Sequence, residues 1–329
     1  MAHWRGALLL CCVLLAACGP TTETSRQISP AASAYLNEVL DLMQQRSINR
    51  DTIDWPRFRA HTFVIAEGAQ TTTDTYSAIR FMINRLGDNH SRFIAPEQNQ
   101  TSAGPSRTAH LPLPRSELIA GRIGYLWLPH LLSDGEAART YAGKAQQLIR
   151  NLDTREPCGW IVDVSENQGG NMWPMLVGVG PILGEGEAGR FVDPAGVISS
   201  WSYINGQALL DTRIQSEIDG DAYTLKQPNP PVAVLTGKQT ASSGEAIVVA
   251  FRGRPQTRSF GQPTAGLSTG NQRHTLSDGA ALVLTEVTFA DRTGALYGKA
   301  IPPDEQPWPR TSARDAATQW LLQQPACAQ

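Results

Sequence analysis

The sequence predicts an α/β fold. Two short apolar runs, Trp160–Val164 (WIVDV) and Pro231–Leu235 (PVAVL), have the length and continuity of strands buried on both faces. Each is followed by a glycine- or serine-bearing turn and then by a helical pattern, and this β-α-β-α-β order implies a largely parallel central sheet. The composition agrees: 41% hydrophobic and 18% charged residues over 329 positions exclude a disordered chain and supply a sizeable core. Lys+Arg 28 against Asp+Glu 30 gives a net charge of −2, without the basic excess of a nucleic-acid binder.

The first segment reads as an address. Arg5 precedes the apolar run GALLLCCVLL (residues 6–15), too short for a bilayer core of roughly 30 Å that needs about 20 residues. It fits the h-region of a secretory signal, and Leu15-Ala16-Ala17-Cys18 resembles a bacterial lipobox. Residues 1–17 are therefore expected to be a lipoprotein signal peptide, with Cys18 lipidated as the membrane anchor. The alternative is an ordinary signal peptide with a chance cysteine. Gly19 follows the cysteine, as in lipoproteins sent to the outer membrane, facing the periplasm, when the host is Gram-negative. Cys11 and Cys12 leave with the signal, so Cys158 and Cys327 remain. They either pair in an oxidising compartment or stay as buried thiols, and sequence alone leaves both open.

Residues 18–30 are small, polar and bounded by proline, a flexible tether. Ala31–Arg46 and Thr73–Leu86 carry apolar residues at helical spacing, with Gly87 as a stop, so residues 31–95 form a small N-terminal helical region. Residues 96–120 are polar and proline-rich, a loop or irregular hairpin. Over the core, 121–310, strands are expected at Ile123–Leu128, 160–164, 231–235 and Ala281–Phe289. Helices are expected at Asp134–Leu152, at 171–183 with Pro174 in its first turn, and at Ser242–Phe251. Residues 311–329 hold a closing helix.

Three segments could carry chemistry. In VAVLTGKQTASSGE (232–245) a buried strand ends and serines open a helix, where a hydroxyl sits at a tight turn beside N–H groups that can stabilise an oxyanion. The plainer explanation is that Ser242 or Ser243 is an N-cap, with Glu245 completing a capping box. In DVSENQGGN (163–171) paired glycines allow close backbone approach to a ligand, though a plain strand-to-helix turn would look the same. In LGDNHSRF (86–93) His90 lies in a polar turn, where a lone histidine is more often a surface residue. No Cys/His/Asp cluster has metal-ligand spacing, and no phosphate loop follows a strand.

In this order the segments resemble the C-terminal-processing (tail-specific) serine peptidase family. LGDNHSRF resembles the family's L-x-D-G-H-T, GRIGYLWLPHL its G-Y-I strand, WIVDVSENQGGN its D-L-R-x-N-x-G-G element, and VAVLTGKQTASSGE its T-A-S-x-x-E. SFGQPTAGLSTG resembles its G-x-x-T-x-G turn, and GKAIPPDEQPW its terminal G-I-x-P-D. The resemblance covers roughly residues 80–310 and implies a ClpP/crotonase-like β-α-β core. It makes Ser242 the nucleophile and assigns the oxyanion hole to the Ser243 amide and the Gly169-Gly170 turn.

Many members place a lysine base just after the G-x-x-T-x-G turn, but Leu267 stands there, and Lys144, Lys226, Lys238 and Lys299 do not replace it by motif. A branch with a histidine base has it where His90 lies, and within that branch the chain most resembles the nisin resistance proteins. The residues between His90 and Gly121 are too few for a PDZ domain. His130 is the second-choice base. Tyr297 stands where another arm of the family has an orienting glutamate, so the third member is unassigned, with Asp88 and Glu286 as candidates. His110 and His274 are expected to face solvent, and His61 to pack in the helical region.

The expected activity is an exported, membrane-anchored serine endopeptidase with a Ser242–His90 dyad, acting through an acyl-enzyme on the C-terminal part of a peptide or protein and needing no cofactor. An unperturbed His90 would make activity fall as pH drops through about 6–7. The competing expectation is a non-catalytic peptide- or lipophile-binding lipoprotein on the same fold. Oligomeric state is not legible.

Overall fold

The computed structural model describes residue 1 and residues 27–98, 112–307 and 312–328. Cys18 and the signal, most of the tether, and His110 lie outside the described residues. Helices are α1 (Pro30–Arg46), α2 (Trp55–Ile65), α3 (Tyr76–Ile83), α4 (Gly135–Asp153), α5 (Met172–Leu183), α6 (Ser243–Phe251) and α7 (Ala313–Leu322). Strands are β1 (Arg92–Ile94), β2 (Arg115–Ile119), β3 (Ile123–Trp127), β4 (Gly159–Asp163), β5 (Gly186–Val192), β6 (Ile198–Ile204), β7 (Gln207–Leu210), β8 (Arg213–Glu217), β9 (Val232–Thr236), β10 (Thr257–Gly261), β11 (Thr269–Thr275) and β12 (Ala281–Ala290).

The strands form two sheets. One has the order β10-β9-β4-β3-β2, parallel except for the β2–β3 hairpin. Its central strands β4 and β9 are buried at every position, because they are covered on both faces. One cover is α4, α5 and α6, through Tyr141, Ile149, Met175, Leu176, Ile247 and Val249; the other is α7, through Ala317 and Leu321. A Cys158–Cys327 disulfide, with Cα atoms 5.0 Å apart, fastens the chain beyond α7 to the start of β4.

The second sheet, β1-β12-β5-β6-β7-β8 with β11 on the free edge of β12, is antiparallel at every pairing. The expectation of one largely parallel central sheet is thus corrected: parallel pairing is confined to the five-stranded sheet. The reason is local. Tight turns such as Asn205-Gly206, both at positive φ, return the chain at once, and such turns permit only antiparallel neighbours.

The N-terminal helices pack on the β11–β12 end of this second sheet. Ser29 caps α1 by accepting from Ala32 N (3.1 Å), and Asp54 caps α2 by accepting from Arg57 N (3.1 Å). Their buried faces, with Tyr35, Leu36, Val39, Leu40, Met43 and Phe58, close over Leu276, Leu282 and Leu284. At the β11–β12 turn, Asp278 accepts hydrogen bonds from the hydroxyls of Tyr35 (2.9 Å) and Tyr76 (2.5 Å), so the helices are tied to the tip of that hairpin.

Candidate active site

The parallel register aligns the carboxyl ends of β3, β4 and β9, with Trp127 opposite Asp163 and Asp163 opposite Leu235. The loops leaving those ends, 128–134, 164–171 and 237–242, meet there, as expected of an open α/β sheet. Asn167, fully buried, is the brace. Its side-chain amide donates to Leu128 O (3.0 Å) and Pro129 O (3.1 Å), its Oδ1 accepts from Gly169 N (2.9 Å), and its carbonyl accepts from Ala241 N (2.9 Å). Thr240 adds a bond from Oγ1 to Val164 O (2.8 Å).

Ser242 precedes α6 with φ 52° and ψ −117°, a backbone region that costs a non-glycine residue about 1–3 kcal/mol. The turn is held because Ser242 N donates to Glu245 Oε2 (2.8 Å). Glu245 is fully buried and accepts three further bonds: from Thr264 Oγ1 (2.6 Å), Gly266 N (3.0 Å) and Leu267 N (2.8 Å). Burial pushes its carboxyl pKa up, and these four donors oppose that shift. Glu245 therefore clamps the serine turn to the 264–267 segment. Leu267, at the register of the family's lysine, serves through its main chain.

Gly169 (φ 97°) and Gly170 (φ 111°) sit against that turn. A Cβ on Gly169 would lie 2.9 Å from Ser242 Cβ and 3.1 Å from Ser243 N; one on Gly170 would lie 1.9 Å from Leu131 O. Both positions therefore require glycine. The two are not equivalent, however. The Gly169 N–H donates to Asn167 Oδ1, so of the two glycines expected to line an oxyanion hole Gly170 is the one with its amide uncommitted. Among the described residues the N–H groups of Gly170 and Ser243 have no acceptor in the protein. Ser243 Oγ donates to Gly170 O (2.6 Å) and ties the two segments together.

His90 follows α3 through Gly87 (φ 81°) and Asn89 (φ 55°). Asp88 Oδ1 accepts from the amides of His90 (2.8 Å) and Ser91 (2.7 Å), and Asn271 Nδ2 donates to His90 O (3.2 Å). The residue is 9% exposed, and the ring Nδ1 lies 2.8 Å from Thr269 Oγ1. Among the described residues no hydrogen bond joins His90 to Ser242. Burial lowers the His90 pKa to about 4, helped by Arg92 and opposed by Asp88. The buried setting thus calls for a depressed titration in place of the unperturbed one expected from sequence.

The other histidines fall as follows. His130 lies in the loop after β3, between Pro129, whose carbonyl accepts from Asn167, and Leu131, which pairs with Gly170. His61 packs edge-on against Phe81. His274 is half-buried and bonded through Nε2 to Glu286, rather than facing solvent. Of the two candidate orienting acids, Asp88 holds the His90 backbone and Glu286 holds His274, so neither touches the His90 ring. Tyr297 donates to Asp291 (2.6 Å). Sequence reasoning gave no role to Thr269, Asn167 or Thr264, although Asn167 and Thr264 stand inside the N-x-G-G and G-x-x-T-x-G motifs.

Among the described residues no group of three or more His, Cys, Asp or Glu could hold a metal ion. No helix among them is long and apolar enough to cross a membrane.

Comparison with known proteins matches this architecture. The nisin-resistance protein of Lactococcus lactis subsp. lactis is 28% identical over 298 residues, 90% of this chain and 89% of that protein. A chloroplastic carboxyl-terminal-processing peptidase 2 of Arabidopsis thaliana is 24% identical over 226 residues, 68% of this chain but 39% of that protein. Among solved structures, a lipoprotein from Streptococcus agalactiae superposes with TM-score 0.72 at 25% identity, covering 90% of this chain and 97% of that one. A photosystem II D1 C-terminal processing protease shares the fold, with TM-score 0.60 at 15% identity over 91% and 99% of the two chains. The model of Peptidase family S41 matches residues 122–306, which span β3, the Asn167 brace, the serine turn and its Glu245 clamp. The chain belongs to peptidase family S41.

Proposed function

We propose that the protein is an exported, lipid-anchored serine endopeptidase in which Ser242 is the nucleophile and His90 the general base. The observation that carries this is the Ser242 turn: a strained non-glycine residue beside the unpaired N–H groups of Ser243 and Gly170. Strain of this kind persists only where the surroundings over-determine it, here through Glu245, and it concentrates at functional sites. Neutral His90 takes the Ser242 proton as Oγ attacks a peptide carbonyl. The Ser243 and Gly170 amides stabilise the tetrahedral oxyanion, and His90 returns the proton to the leaving amine. Water then resolves the acyl-enzyme, and no cofactor takes part. The nisin-resistance relative supports a nisin-like peptide as the substrate class to be tried. Lipidation at Cys18 and a cell-envelope location are consistent with the lipoprotein among the structural relatives.

A fluorophosphonate probe tests the reading. Wild type should be labelled and should cleave C-terminal peptide libraries, whereas Ser242→Ala should do neither. A second reading, a non-catalytic peptide- or lipophile-binding lipoprotein, draws on Leu267 at the lysine register and on the absence of a His90–Ser242 hydrogen bond. It predicts no labelling of wild type and unchanged peptide binding in the Ser242→Ala variant.

A further inference from the structure

We propose that Thr269 is the positioning residue of the His90 base: its hydroxyl oxygen accepts the Nδ1–H of the ring, leaving Nε2 unprotonated to receive the Ser242 proton. The inference rests on the Ser242–His90 reading and supplies the third member that the sequence left unassigned.

The geometry is specific. Thr269 Oγ1 and His90 Nδ1 are 2.8 Å apart, both residues are buried, and no carboxylate reaches the ring. A buried Nδ1–H without an acceptor would cost about 1–3 kcal/mol, and the Thr269 hydroxyl oxygen is placed to accept it; with His90 as the base of Ser242, the contact corresponds to the Nδ1–H tautomer. Thr269 is itself fixed. Its amide donates to Leu267 O (2.8 Å), and it opens β11 opposite Thr288. Because Leu267 N and Ser242 N share Glu245 Oε2, an unbroken chain of contacts runs from the serine turn through Glu245, Leu267 and Thr269 to the His90 ring. One short segment, 264–269, therefore sets both partners of the dyad.

A hydroxyl suits this role differently from a carboxylate. As acceptor it orients the ring but brings no charge to stabilise the imidazolium, so the ring stays a neutral base over a wide pH range. In the acylation step the Ser242 O–H bond breaks and its proton forms an N–H bond at Nε2. The Oγ electron pair goes to the carbonyl carbon, and the Nδ1–H bond to Thr269 is kept throughout. Nε2 then passes the proton to the departing amine.

The test combines a spectrum with kinetics. In full-length protein labelled with 15N-histidine, the neutral His90 ring should carry its proton on Nδ1, assigned by its loss in His90→Ala. Thr269→Val, which keeps the shape and removes the acceptor, should shift the proton toward Nε2. It should lower kcat roughly 10–100-fold with KM nearly unchanged, a loss below the ~10²–10⁴ ascribed to general-base catalysis as a whole. Thr269→Ser should restore both the tautomer and most of the rate. A wild-type ring protonated on Nε2 overturns the proposal, even if no Thr269 variant folds. So does a Thr269→Val enzyme with full kcat. Failure of the underlying reading looks different: His90→Ala would then cleave at the wild-type rate, whatever the tautomer.

Discussion

Moving the solution from pH 7 to pH 5 should leave peptide cleavage almost intact. The base must be neutral, and burial with Arg92 nearby holds the His90 pKa at about 4 against the pull of Asp88. About nine-tenths of the rings are then still neutral at pH 5, compared with about 3% for a histidine at the ordinary 6.5. The two cases differ roughly thirty-fold in kcat/KM at that pH, which reports the free enzyme. The assay is kcat/KM from pH 3.5 to 8 on a peptide without groups titrating in that range, with circular dichroism following the fold. Half-maximal activity should fall near pH 4, and Arg92→Gln should move the acid limb to higher pH. Stability should respond too. The unfolded chain protonates this histidine near 6.5 and the folded chain only near 4, so below pH 6.5 the unfolded state binds more protons. Stability therefore declines as pH falls through that window, by about 3 kcal/mol in total. An acid limb at pH 6–7 in the fully folded protein would refute the reasoning, because the ring would then be solvated or the base would be another group.

Four further outcomes are expected, three from the geometry and the last from the sequence. Ser243→Ala keeps the proposed oxyanion amide but loses the bond to Gly170 O, so kcat/KM should fall only several-fold, the equivalent of about 1 kcal/mol, against near-complete loss in Ser242→Ala; equal losses would mean the nucleophile register is off by one. Glu245→Gln sets an amide group against one pair of the donors that the carboxylate accepts and should destabilise by about 2–4 kcal/mol in urea titration, with an unchanged midpoint arguing against the clamp. Reduction, or Cys158→Ala, should cost up to about 5 kcal/mol because the bridge spans 169 positions, and a melting temperature indifferent to reductant would exclude the disulfide in solution. Cys18→Ser should release the protein from the membrane fraction and abolish lipid labelling; a soluble wild type starting elsewhere would remove the anchor.

How much of this could be read in advance depended on the range of the interaction. β4 and β9 were legible because burial on both faces leaves an uninterrupted apolar run. The serine turn was legible because its cap and clamp, Ser242 and Glu245, lie three residues apart. The β5–β8 meander was not. Arg213–Glu217 is almost wholly exposed and has no apolar alternation, so only its partner strand makes it a strand. The bond from the Gly169 amide to the Asn167 side chain was not legible, because the N-x-G-G motif marks both residues but not which group meets which. Thr269 was invisible for a different reason: its partner lies 179 positions earlier, and a lone threonine after a glycine turn carries no pattern of its own.

The fastening of Leu267 by its amide alone bears on how a base could change hands in this fold. The clamp needs an N–H at position 267 and nothing from the side chain, so the serine turn is indifferent to what projects there. A lysine at that register and a leucine at that register can stand on the same backbone. On the proposed reading, replacing one with the other would leave the nucleophile in place while a histidine arriving from the N-terminal helices takes up the proton. Lineages could thus exchange one proton acceptor for another through intermediates that keep a folded, correctly presented serine.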